Sequence, residues 1–171
     1  MRISFDLDGT LFENESPKDI DFYEKLRYGS IDILKKIIKN NIELWIYTSS
    51  NREPEYIAKY FSKYGIKINI ENIVNGRRHM TEVQGNRIEM LPLKYPSKYK
   101  IDLHVDDDIS VKNDSEKHGF NVYLVKDNDN NWGNELWEKI LTMENEINRT
   151  KFQKGEIMNI GDFSKEKEIG K

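Results

Sequence analysis

Residues 3–10 read Ile3-Ser4-Phe5-Asp6-Leu7-Asp8-Gly9-Thr10. A short apolar run ends abruptly in two carboxylates and a glycine. Ile3 to Leu7 has the length and composition of a strand buried on both faces. Along a strand, residues i and i+2 point the same way, so Asp6 and Asp8 converge at its end if the chain stays extended. Gly9 allows the tight turn that lets backbone approach a ligand. Two acids held together are costly unless a metal compensates them or they share a proton. In open α/β sheets, ligands bind beyond the carboxyl ends of strands. The pair therefore points to one acid as nucleophile and metal ligand and the other as general acid and base. As a bare D-x-D it reads equally well as a solvated turn, because Asp and Gly are ordinary turn residues.

Three further runs have strand character: Ile42 to Tyr47, Ile101 to Val105 and Asn121 to Val125. Helical patterns separate them. Ser30 is placed to cap a helix carrying Ile31, Leu34, Ile37 and Ile38, which Asn40-Asn41 ends. Glu53 and Glu55 suit the first turn of a second helix, with Ile57, Tyr60, Phe61 and Tyr64 at helical spacing and Gly65 as its stop. Leu136, Ile140 and Met143, with Trp137 and Leu141 beside them, mark another helix. Strands alternating with helices predict an α/β fold around a parallel sheet. Residues 66–93 break the rhythm. Asn75-Gly76 and Gln84-Gly85-Asn86 are turn signals there, and the stretch reads as a small strand-and-turn insert. Residues 1–147 read as one domain, and 148–171 as a polar tail, loosely packed or partly disordered.

With 171 residues the chain is long enough for one domain with a real core. Hydrophobic residues make up 37%, charged residues 33% and aromatics 11%, too aromatic for a disordered chain. Basic and acidic residues number 27 and 30, a net charge of −3, which disfavours a general nucleic-acid or anionic-membrane binder. There is no cysteine, so disulfides and thiolate metal sites are excluded. No apolar run reaches the ~20 residues of a membrane span, and the first residues carry no signal-peptide core. A cytoplasmic protein without membrane partners is expected.

The other strand ends also carry polar clusters. Ile42 to Tyr47 runs into Thr48-Ser49-Ser50, and Ile101 to Val105 into Asp106-Asp107-Asp108. Three consecutive acids repel unless a cation sits among them. Carboxylate and carbonyl oxygens suit Mg²⁺. Just before the acids lie Lys94, Lys98 and Lys100.

Taken in order, these four clusters resemble the signatures of the haloacid dehalogenase superfamily of phosphotransferases, and they cover residues 1–125. The resemblance implies a Rossmann-like three-layer sandwich. It implies Asp6 as nucleophile and Asp8 as general acid and base. Asp8 further implies phosphoryl transfer, because members that cleave carbon–halogen bonds lack it. Thr48 would hydrogen-bond the phosphoryl group, and Lys94 is preferred to Lys98 as the phosphate-binding lysine. Mg²⁺ would be held by Asp6, the backbone carbonyl of Asp8 and Asp107, with Asp106 through water and Asp108 capping the next helix. Gly9, Thr10 and Ser49 would complete the phosphate cradle. Arg77 and Arg78 are candidates for a distal phosphate or carboxylate, although a solvated loop is the commoner fate of such arginines. Residues 11–29 and 66–93 are too few for a packed cap domain, so an open, essentially capless site is expected. The activity implied is Mg²⁺-dependent hydrolysis of phosphate monoesters through an aspartyl-phosphate. A phosphatase specific for nucleotides or nucleic-acid ends, and a catalytically silent binding module, are the alternatives.

Overall fold

The computed structural model describes residues 1–14 and 24–153. Five strands form one sheet: β1 (Arg2–Phe5), β2 (Glu43–Tyr47), β3 (Ile73–Val74), β4 (Leu103–Asp106) and β5 (Val122–Leu124). They pair in the order β3-β2-β1-β4-β5, and every pairing is parallel. A parallel sheet is covered on both faces, which is why its strands are near-continuous apolar runs. Ile3, Phe5, Ile46, Tyr47, Ile73, Val74, Leu103 and Val105 are all fully buried.

The helices are α1 (Ser30–Lys39), α2 (Pro54–Ser62), the single turn α3 (Gly76–His79), α4 (Ile109–His118) and α5 (Trp132–Gln153). From β1 the chain steps outward through α1 to β2 and through α2 to β3. It then returns across the sheet to β4, on the other side of β1, and steps outward through α4 to β5. Parallel crossovers are right-handed, so reversing the direction of travel puts the two sets of helices on opposite faces. The result is a Rossmann-like three-layer α/β sandwich. Its reversal point lies between β1 and β4, where such sheets bind their ligands.

Some local details differ from the reading of the sequence. Ser30 is the first helical residue of α1. The capping position is Gly29, at φ 82°, and the Ser30 hydroxyl donates instead to the Leu11 carbonyl at 2.9 Å. Glu53 stands at the capping position of α2 without a side-chain capping bond, and Pro54 opens the helix. Residues 66–93 supply the edge strand β3. Two residues are too short to stand out as a strand run, and the turn signals around them dominate. α3 follows β3, and a wider helical turn over Met80–Gln84 continues it. Helical structure extends through Gln153, into the stretch read as a tail; residues 154–171 lie outside the described residues, as do 15–23.

By contacts, Met1–Glu135 is one compact unit and Leu136–Lys171 a second, with α5 continuous through the boundary. All the residues of the site belong to the first unit. No helix among the described residues is long and apolar enough to cross a membrane.

Candidate functional site

A cleft of about 460 Å³ opens at the carboxyl edge of the sheet, lined in part by Asp6, Asp8, Thr48, Lys94, Asp106 and Asp107. The strand ladders continue one residue past the strands and fix the residues that matter. Asp6 N–H donates to the Val105 carbonyl at 2.9 Å, and Thr48 N–H donates to the Val74 carbonyl at 2.9 Å. Asp6 follows β1, Thr48 follows β2 and Asp106 closes β4, so three adjacent strands each deliver one polar side chain to the same edge.

Lys94 comes from the loop before β4. Its side chain is 3% exposed, and Nζ sits 2.9 Å from Asp6 Oδ1 and 3.6 Å from Asp106 Oδ2. Lys98 and Lys100 are exposed. Asp106 is held from below by the fully buried His104, whose Nε2 is 2.8 Å from Asp106 Oδ2 and whose Nδ1 is 2.8 Å from Ser4 Oγ. The Asp108 N–H donates to Asp106 Oδ1 at 2.9 Å, while the Asp108 carboxylate caps α4 by accepting from Ser110 N–H at 2.7 Å. Asp107 accepts from the Thr10 hydroxyl at 3.0 Å and from Asn14 Nδ2 at 3.2 Å. Thr48 is 1% exposed, and its Oγ1 accepts from Ser50 N–H at 3.1 Å.

The electrostatics follow from burial. Desolvation raises the Asp6 carboxyl above its ordinary value, and Asp106 beside it adds to the rise against the pull of Lys94. Asp107 is likewise raised by burial, with the bonds from Asn14 and Thr10 opposing. Asp106 goes the other way. Burial pushes it up, but the bond and charge of His104, the charge of Lys94 and the Asp108 N–H outweigh that. Burial works against the charge on Lys94, and the two carboxylates more than offset it, so the ammonium is retained. One lysine among three crowded acids leaves an excess of negative charge that a cation would relieve.

Asp6, Asp106 and Asp107 each offer an oxygen, and these oxygens lie within 4.8 Å of one another. An all-carboxylate donor set fits a hard divalent cation such as Mg²⁺. The Asp8 carboxylate is not one of this group. Arg52 grips both its oxygens, Nη1 to Oδ2 at 2.7 Å and Nη2 to Oδ1 at 2.8 Å.

Gly9 stands at φ 80°, against Asp107. Thr10 is fully buried, and Ser49 lines the cleft. Arg77 and Arg78 are not among the lining residues. Arg77 pairs with Glu53, and Arg78 with Glu82 at 2.9 Å and with the carbonyls of Glu71 and Ile73. Sequence reasoning missed Arg52, Asn14 and the His104 support. Arg52 had one signal, its place four residues after Thr48 in the same strand-end loop. His104 had another, its i−2 relation to Asp106 along β4.

No family model matches the chain, and no curated protein matches it. Among solved structures it is similar to the hypothetical protein PH1952 from Pyrococcus horikoshii OT3, at 16% identity and a TM-score of 0.35. That likeness covers 71% of this chain and 40% of the other, so the chain spans less than half the length of its structural neighbour.

Proposed function

We propose that this chain is a metal-dependent phosphate-monoester hydrolase of the haloacid dehalogenase type, working through an aspartyl-phosphate on Asp6. The observation that carries the reading is the convergence of Asp6, Asp106, Asp107 and Lys94 around one cleft at the reversal point of the sheet.

In this reading an Asp6 carboxylate oxygen attacks phosphorus as the bond to the leaving oxygen breaks. The Asp8 carboxyl gives its proton to that leaving oxygen. A water then attacks the same phosphorus, Asp8 takes its proton, and the bond to Asp6 breaks, releasing inorganic phosphate. Lys94, already on Asp6, and the Thr48 hydroxyl hold the equatorial oxygens, where transition-state charge spreads. Asp6 and Asp107, with Asp106 beside them, would hold Mg²⁺, which supplies charge neutralisation between nucleophile and phosphate. Asn14 and Thr10 keep Asp107 turned toward that position.

A nucleic-acid end would call for a basic groove beside the cleft. Lys94 is the one lysine or arginine among the described lining residues, and Arg77 and Arg78 are engaged elsewhere. No observation favours that alternative. A silent module is separated from the enzyme by turnover of p-nitrophenyl phosphate with and without Mg²⁺. Wild type is expected to turn over only with the metal, and Asp6→Asn to lose more than about 10³-fold, as removal of a nucleophile does. A folded wild type that binds no Mg²⁺ by calorimetry and hydrolyses no ester rejects the proposal.

A further inference from the structure

Arg52 is an arginine in an unusual place. Its side chain is 3% exposed, while the Asp8 side chain it holds is 52% exposed and lines the cleft. The fork is bidentate, which fixes the plane of a carboxylate as well as its position. The guanidinium is itself immobilised. Its carbon lies 5.6 Å from the centre of the Phe12 ring, Nη1 donates to Ser50 Oγ at 3.0 Å, and Nε lies 3.4 Å from Glu24 Oε1. Glu24 is anchored in turn by α2. Tyr56 donates to its carboxylate at 2.8 Å and Tyr60 to its carbonyl at 2.8 Å. The Arg52 backbone is tied down as well, since its carbonyl accepts from Asn75 Nδ2 at 3.0 Å. A buried guanidinium is costly to desolvate, and a surface carboxylate gains little stability from it. An arrangement this rigid is explained by what it does to Asp8.

We infer that Arg52 is the positioning residue for Asp8: a buried guanidinium, braced by Phe12, Ser50 and Glu24, that aims the general acid and base of the proposed hydrolase at the leaving oxygen. The inference rests on the hydrolase reading and deepens it. Each Asp8 oxygen gives one acceptor site to the fork and keeps another for the cleft. The fork orients the carboxylate that accepts the proton of the attacking water. For the first step the proton occupies a site facing the cleft, and the sites facing Arg52 go on accepting, so the fork still sets the plane of the carboxyl group. Without Arg52, Asp8 stays present and ionisable but is no longer aimed, and proton transfer loses its geometry.

The leaving group supplies the test. A p-nitrophenolate leaves without help, whereas an alkoxide needs its proton. The ratio kcat/KM reports only the steps up to phosphorylation of Asp6, so a loss of aim at the acid step appears in its dependence on the leaving group. Arg52→Gln is expected to lower kcat/KM for ethyl phosphate by about 10²-fold, the lower end of what a general acid contributes. For p-nitrophenyl phosphate the same change is expected to cost at least about tenfold less than for ethyl phosphate, because that step draws little on the acid. Asp8→Asn should reproduce the pattern, and adding Arg52→Gln to it should cost nothing more, since the two act as one unit. Arg52→Lys, which keeps the charge and loses the fork, should fall between. Melting temperatures of all variants separate loss of aim from loss of fold. Equal losses on both esters, a faster ethyl phosphate reaction, or a further loss in the double variant would each overturn the inference while leaving the hydrolase in place. A wild type that hydrolyses neither ester would overturn both.

Discussion

Gly9 sits where a side chain does not fit. Its φ of 80° belongs to the left-handed region, and a Cβ there would lie 2.2 Å from Asp107 Oδ2 and 2.5 Å from Asn14 Oδ1. Gly9→Ala therefore forces Asp107 and Asn14 aside together, at a conformational cost of about 1–2 kcal/mol. It is expected to weaken Mg²⁺ binding by about 10–100-fold, as loss of a carboxylate's supporting bonds does. Calorimetric titration checks this, and unchanged affinity would mean that Asp107 does not hold the metal. At this scale much of the site was legible. Asp6, Thr48 and the triple aspartate stand at the ends of apolar strand runs, and their order along the chain, with the resemblance it carries, singles them out. Lys94 was one of three lysines in seven residues, and a Tyr-Pro pair was all that singled it out. Arg52 had only its place after Thr48 to signal it, for a physical reason. Its meaning lies in a fork to a residue 44 positions away, and no periodicity encodes a side-chain rotamer.

At the scale of elements, one carboxylate ties three of them. Glu43 is the Cα partner of Arg2 across β1 and β2, and its side chain accepts from Arg2 Nε at 2.7 Å, Trp45 Nε1 at 3.1 Å and Asn72 Nδ2 at 3.3 Å. Asn72 belongs to the turn that leads into β3. Burial works to raise the Glu43 carboxyl, but these donors and the Arg2 charge hold it below its ordinary 4.5. A lowered carboxyl adds stability that is complete above its unfolded value and disappears as pH falls through the folded one. Glu43→Gln is therefore expected to flatten the acid side of the stability profile, by less than about 1 kcal/mol for so exposed a pair. Urea midpoints from about pH 6 down to about pH 3 check it. An unchanged slope would make the clasp inert. The elements themselves were mostly legible, because apolar strands and amphipathic helices announce their periods. β3 was not. A two-residue edge strand has no period, and its place is set by pairing with Ile46 and Tyr47 rather than by its own residues.

For the whole molecule, the crowded acids would make stability depend on a bound cation. Ionised Asp6, Asp106 and Asp107 repel one another in the folded state and part when the chain unfolds. A ligand of the folded state alone stabilises by mass action, by about 2.7 kcal/mol at a hundred times its dissociation constant. Mg²⁺ is thus expected to raise the melting temperature, and the rise should vanish in Asp107→Asn. A melting temperature indifferent to Mg²⁺ would argue that Lys94 alone suffices to balance the acids. The fold as a whole was legible in the alternation of strand and helix. The strand order was not, because it depends on which side of β1 the chain chooses when it returns from β3.

That return has a consequence for how the protein comes into being. β1 is the central strand, yet its neighbour β4 lies about a hundred residues further along the chain. At about 5–20 residues per second, translation leaves β1 without that neighbour for roughly 5–20 seconds. β2 can pair with one edge of β1 once it has emerged, but the other edge has no partner until β4 arrives. Asp6, Asp106 and Asp107 meet only when the last of them has left the ribosome, so a nascent fragment shorter than that lacks the acid cluster proposed to hold the ion.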